Sequence, residues 1–280
     1  MSKILFLFEG SDTEPGIFEA TVPVMLPDSN FVRSGKGVVC VYGTHIYTLY
    51  SRLKSDPGLD LVGLLMEHPD KYPTLRDALA DTEVSAEAFE AIYLLFDYDG
   101  HVNMPRTADG SHLDGDAALK EMFDFFDDAS ENGKLLISYP MVEAIKHLSD
   151  EPSTHHDIVT AKCKGPHCPN SECPDRHDRS KCPKVREYYK GLVNNLHPHR
   201  CRTADIKAAE WAGIFMCHLK VGQLICGLTD SLPSQQSIFN SQIRNFISRP
   251  CPQVAVLSGF PYLYADYLGF RQLLTRLTAI

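Results

Sequence analysis

No stretch of the chain approaches the roughly 18 uninterrupted apolar residues that a membrane span requires. Met1-Ser2-Lys3 runs straight into a short apolar segment, without the longer apolar region and small-residue cleavage site of a signal peptide. A disorder-type composition is absent too: 44% of the 280 residues are hydrophobic, enough for one large domain, or a domain with an elaboration, around an ample core. There is no internal repeat and no Gly-x4-Gly-Lys-Ser/Thr phosphate loop. These absences lead us to expect a soluble cytoplasmic protein with no membrane association, and they leave its oligomeric state unassigned.

Nine cysteines are present, an odd number that argues for reduced thiols rather than a disulfide framework in a chain of this length. Basic residues are scarce outside one region. The net charge is -9, from 27 Lys/Arg against 36 Asp/Glu. Between Lys162 and Arg202, however, ten bases face four acids, leaving 17 bases and 32 acids for the rest. An acidic body thus carries a basic, cysteine-rich insert that can grip phosphates, among them Lys164, Arg176, Arg179, Lys181, Lys184 and Arg186. The plainer alternative is a solvated loop.

Apolar and β-branched runs predict strands at Ile4–Phe8, Val38–Tyr42, Ile92–Phe96, Lys134–Pro140 and Gln253–Leu257. Helical spacing is expected over Tyr47–Leu53, Thr74–Ala91, Asp114–Asp128, Met141–Leu148, Ala208–Cys226, Ser234–Ser248 and Leu268–Ile280. The helix after Ser11-Asp12-Thr13-Glu14-Pro15 is expected to be short, and Leu61–Met66 is ambiguous. The strand–helix rhythm from 92 to 148 predicts parallel pairing. From Asp150 to about Ala204 no period is visible.

Two of the apolar runs end in acids: Phe8 leads into Glu9-Gly10, and Phe96 into Asp97-Tyr98-Asp99-Gly100. If those strands are parallel neighbours, three carboxylates meet at the carboxyl edge of the sheet, where α/β folds place their sites. Alternate residues of an extended chain project the same way, so Asp97 and Asp99 can reach one ion. Glu9 can complete the set or accept a proton. An all-oxygen set suits Mg²⁺ (or Mn²⁺), which is held by few carboxylates together with waters and substrate phosphates. Acids at strand ends also merely cap helices or face water, and the repetition of the pattern on two strands favours the metal reading.

This pattern resembles the Toprim domain, with its first-strand Glu-Gly and later-strand Asp-x-Asp. Glu9-Gly10-Ser11-Asp12-Thr13-Glu14-Pro15 with Phe18 resembles the opening of the RloB-type branch, related to OLD nucleases. Ser138-Tyr139-Pro140-Met141-Val142-Glu143 is similar to that branch's Ser-Asn-Pro segment with its downstream Glu. Tyr139 and Tyr98 depart from the pattern. The resemblance covers residues 3 to 148. It implies an α/β fold with a Toprim-like, parallel-rich sheet flanked by helices. Residues 1–149 would form the catalytic core, 150–204 the Cys/His-rich basic insert, and 205–280 C-terminal helices and a strand completing the core. It further implies Glu9 as general base or metal ligand, Asp97 and Asp99 as Mg²⁺ ligands, and Glu14 and Glu143 as supporting acids. The implied activity is metal-dependent endonuclease cleavage of DNA or RNA by an antiviral defence effector, controlled by a separate ABC-type ATPase.

Cys163-x4-Cys168-x4-Cys173-x8-Cys182 supplies four thiolates within twenty residues, three of them followed by proline. Proline keeps these cysteines on turns that can converge on one ion. The expectation is a structural zinc held by Cys163, Cys168, Cys173 and Cys182, or by three of them with one of His155, His156, His167 or His177. Zinc binding would order an insert without a visible core of its own. Cys40, Cys217 and Cys226 read as buried structural thiols.

Two other readings compete. Asp97-Tyr98-Asp99-Gly100 also looks like the motif of HAD phosphatases, with Asp97 as nucleophile and Asp99 as acid/base. Against it, that motif normally opens its chain, His101-Val102 stands where threonine is expected, and Glu9 is left without a role. The third reading is a non-enzymatic, zinc-stabilised module that binds nucleic acid or protein.

Overall fold

The computed structural model describes residues 3–27, 31, 35–98, 114–147, 157–160, 185–196, 202–249 and 252–280. The architecture is α/β, with a four-stranded parallel sheet flanked by helices. Its strands are β1 (Lys3–Phe8), β2 (Gly37–Val41), β3 (Phe89–Asp97) and β4 (Lys134–Ser138), in the order β2-β1-β3-β4. The chain divides into two compact units, Met1–Leu136 and Ile137–Ile280.

In the first unit, β1 is parallel to both neighbours, with Phe8 level with Val41 on one side and Leu95 on the other. Ile4 through Phe8 are all buried, which is why this strand reads as a continuous apolar run rather than an alternation. Helix α1 (Thr13–Met25) crosses from β1 to β2 and buries Ile17, Phe18, Thr21, Val22 and Met25, one stripe at helical spacing. Phe18 packs against Phe6 and Phe8, with ring centroids 4.5 and 5.7 Å apart. This helix spans 13 residues, longer than the sequence suggested. Pro15 sits in its first turn, where a missing N–H costs nothing, and Pro23 falls in its last.

Helix α2 (Ile46–Ser55) follows β2, then α3 (Leu61–Met66) and α4 (Pro73–Ala78). Asp60 caps α3 by accepting from Gly63 N–H at 2.6 Å, and its other oxygen accepts from Ala86 N–H at 2.9 Å. The continuous helical spacing expected over Thr74–Ala91 is broken. Turns follow α4, Ser85 caps a 3-10 turn at Ala86–Ala88, and β3 begins at Phe89. Helix α5 (Gly115–Phe125) is capped by Asp114, which accepts from Asp116 N–H at 3.1 Å, and buries Leu119, Met122 and Phe123.

The second unit opens with a 3-10 turn, Val142–Lys146, where a longer α-helix was expected. It contains strand β5 (Ile158–Thr160), helices α6 (Val185–Leu196), α7 (Ala208–Cys226) and α8 (Gln235–Gln242), and a π turn at Ile243–Ile247. Strand β6 (Gln253–Ala255) and helices α9 (Phe260–Leu268) and α10 (Phe270–Ala279) follow. Strands β5 and β6 pair antiparallel. Two elements therefore fall inside the segment that reads as aperiodic. Tyr189 and Val193 of α6 are buried with Met141, Ala144 and Val256, so the described part of that segment joins a core. Helix α9 was also unforeseen.

Close approaches and buried amides define this unit. A Cβ on Gly222 of α7 would lie 1.7 Å from the Tyr262 hydroxyl of α9, so only glycine permits the contact. Gln242, fully buried, donates to Ala255 carbonyl at 2.8 Å and accepts from Ala255 N–H at 2.9 Å, tying the helix end to β6. No described helix is long and apolar enough to cross a membrane.

Candidate active site

Glu9 is the first residue beyond β1, and its backbone is fixed from both sides. Its N–H donates to Leu95 carbonyl at 3.2 Å, and its carbonyl accepts from Gly43 N–H at 3.0 Å. Gly43, at φ 81°, turns the chain away from β2 in a conformation that favours glycine. The Glu9 side chain then reaches across to the next strand, where Oε2 accepts from Asp97 N–H at 3.0 Å. Glu9 is 8% exposed and Asp97 5%. Two strand-end carboxylates thus share one buried edge, and a hydrogen bond sets the orientation of one of them.

Glu14, in the first turn of α1, is equally buried, and its Oε1 accepts from Gly10 N–H at 3.0 Å. A Cβ on Gly10 would come within 2.8 Å of Glu14 Oε2, so the glycine after Glu9 makes room for the second glutamate. Tyr98, which continues the chain from Asp97, is buried and donates its hydroxyl to Asp116 Oδ1 at 2.6 Å. The anchored phenol fixes the backbone immediately after Asp97.

A cation at this edge escaped the sequence reading. Lys71 donates to Tyr42 carbonyl at 2.7 Å, just past the end of β2, and its ammonium lies 5.3 and 5.2 Å from the Tyr42 and Tyr72 ring centroids. Burial pushes the Tyr72 phenol up to about 12 and raises that of Tyr42 as well. Both rings therefore stay neutral under the ammonium. Lys71 lies between two short helices in no recognisable motif, so nothing local in the sequence marks it.

Glu143 belongs to the second unit, in the 3-10 turn, where its Oε1 lies 3.0 Å from Lys190 Nζ of α6. Its Oε2 is buried without a hydrogen-bond partner among the described residues. Asp99, Lys164, Arg176, Arg179, Lys181, Lys184 and the zinc candidates Cys163, Cys168, Cys173 and Cys182 lie outside the described residues. So do His155, His156, His167 and His177. Arg186 is part of α6, but its side chain is not among those described. Cys40 and Cys217 are buried and Cys226 half-buried, none of them in a disulfide, and burial pushes the Cys40 thiol up to about 11.

Among the described residues, no three His, Cys, Asp or Glu side chains cluster as a ready metal cage. What the edge offers is a pair, Glu9 and Asp97, with hard oxygen donors of the kind Mg²⁺ takes. Such ions are usually held by one or two protein carboxylates, with waters and substrate phosphates filling the remaining positions. The donor set fits the metal chemically.

No family model, curated protein or solved structure matches this chain.

Proposed function

We propose that the chain is a Mg²⁺-dependent phosphodiesterase acting on DNA or RNA, with Glu9 and Asp97 at its centre and Asp99 as the third carboxylate. One observation carries this reading: Glu9 and Asp97 leave adjacent parallel strands and are joined by the 3.0 Å bond from Asp97 N–H to Glu9 Oε2. That bond also counts against the phosphatase alternative, which gives Glu9 no role. A divalent ion held by such carboxylates, when bound, polarises a phosphodiester and lowers the pKa of a bound water. Glu9 serves as ligand or as acceptor of the water's proton. Glu14 holds the turn at Gly10, and Lys71 supplies positive charge at an otherwise acidic edge.

The Toprim-like resemblance extends this proposal to an antiviral effector restrained or triggered by a separate ABC-type ATPase. In the same proposal, a structural zinc on Cys163, Cys168, Cys173 and Cys182 orders the basic insert for phosphate contact.

The test is to incubate wild type and Asp97→Ala with plasmid DNA, total tRNA and a phosphate-monoester dye, in Mg²⁺ or EDTA. Metal-dependent cleavage of a polynucleotide that falls about 100-fold or more in the variant supports the proposal. Turnover of the dye alone supports the phosphatase. Inactivity in every condition, including with a co-purified ATPase, sinks both enzyme readings and leaves the binding module.

A further inference from the structure

The second unit holds a cavity of about 650 Å³ between the C-terminal end of α7, strand β5 and the π turn. It is a hollow open to solvent rather than an enclosed chamber. The lining includes Ile158 and Leu224, each 40% exposed, which are among the few large apolar side chains open to solvent among the described residues. It also includes Ile225, Arg244, Asn245, Phe246 and Arg249.

Both guanidiniums are solvent-exposed, and among the described residues neither makes an ion pair, in a chain whose net charge is -9. Arg249 lies over the Phe246 ring, its guanidinium carbon 5.5 Å from the centroid. A guanidinium beside an aromatic ring can stack a second flat group on its own planar face. Asn245 is held in place by Arg244 Nε, which donates to its Oδ1 at 3.4 Å. The π turn carries Arg244, Asn245 and Phe246, and Arg249 follows it; such local distortions occur often at functional sites.

We infer that this cavity is a nucleotide-binding site, taking a 5′-phosphorylated nucleobase with the phosphate on Arg244 and the base stacked on Arg249 and against Leu224 and Ile158. Guanidinium suits phosphate through its forked donors. The Arg–Phe platform suits a base better than the carboxylate of an acidic peptide, which has no flat surface to stack. Two sources supply the same chemistry, a free mononucleotide or a nucleotide within a strand. The site goes beyond the proposed carboxylate chemistry and does not depend on it.

Calorimetric titration of the full chain in EDTA, at low salt, tests the site with the metal chemistry silenced. The probes are the four 5′-mononucleotides, adenosine, inorganic phosphate, 5′-phosphorylated five-residue oligonucleotides and a leucine-bearing acidic peptide. We expect at least one mononucleotide or oligonucleotide to bind, with adenosine and inorganic phosphate each at least tenfold weaker. Arg244→Ala and Arg249→Ala should each weaken binding about tenfold or more, and Leu224→Asp should do so without touching either arginine, all with unchanged melting temperatures. Tighter binding of the mononucleotide identifies a free ligand, and tighter binding of the oligonucleotide identifies a strand. The inference is overturned if none of the nucleotides binds, if the arginine variants bind like wild type, if phosphate alone matches the nucleotides, or if the acidic peptide binds more tightly.

Discussion

The two units give their buried glutamates different kinds of partner. In the first, Glu9 and Glu14 are oriented by backbone N–H groups at the ends of strands and turns, Asp97 N–H and Gly10 N–H respectively. In the second, Glu143 meets the Lys190 ammonium and His147 Nδ1 lies 3.0 Å from the Tyr189 hydroxyl, pairs of side chains far apart in sequence, while Gln242 grips the backbone of Ala255. Backbone donors at a sheet edge exist wherever the fold forms, so they can hold a carboxylate ready for another partner. Side-chain pairs lock a core. The first arrangement suits a reactive site and the second suits stability.

That contrast can be broken or sharpened by mutation. The largest expected effect is in the second unit: Gly222→Val forces carbon into the Tyr262 hydroxyl and should cost about 3 kcal/mol by denaturant unfolding. Nearly as large is a pH effect. Burial holds the His218 imidazole down, from the ordinary 6.5 to about 4. Between those values the unfolded chain binds the proton and the folded one does not, so stability is full above about 6.5 and falls with acidification toward 4, by up to about 3 kcal/mol. A His218→Gln variant should lose that slope. Gln242→Ala strands the N–H and carbonyl of Ala255 in the core and should cost about 2 kcal/mol. The smallest change belongs to the edge: Gly10→Ala crowds only the far end of Glu14, so stability should drop by about 1 kcal/mol. If Gly10→Ala proves costlier than Gln242→Ala, the edge is a packed core element and the contrast fails.

The same contrast explains what the sequence disclosed. The acid-tipped runs at Glu9 and Asp97 were legible because a strand buried on both faces leaves an uninterrupted apolar signal, whereas their adjacency is a tertiary fact, since β2 comes between them in sequence. Lys71 was not legible, because a lysine's position over two tyrosines is a tertiary fact. Prolines concealed the length of α1. The turn residues Asp81 to Ser85 were overridden by apolar spacing around them, which is why a helix was read where α4 ends. In α6, Tyr189 and Val193 find their core only against Met141 and Val256, and nothing adjacent in sequence announces it.

The central claim is that Glu9 and Asp97 serve one ion. Mn²⁺ titration of wild type, Glu9→Gln, Asp97→Asn and the double variant, followed by electron paramagnetic resonance, measures this directly. One Mn²⁺ should be weakened about tenfold or more by either single change, with little further loss in the double variant, as coupled ligands require. Wild-type affinity in both single variants, or losses that simply add, would contradict a shared site.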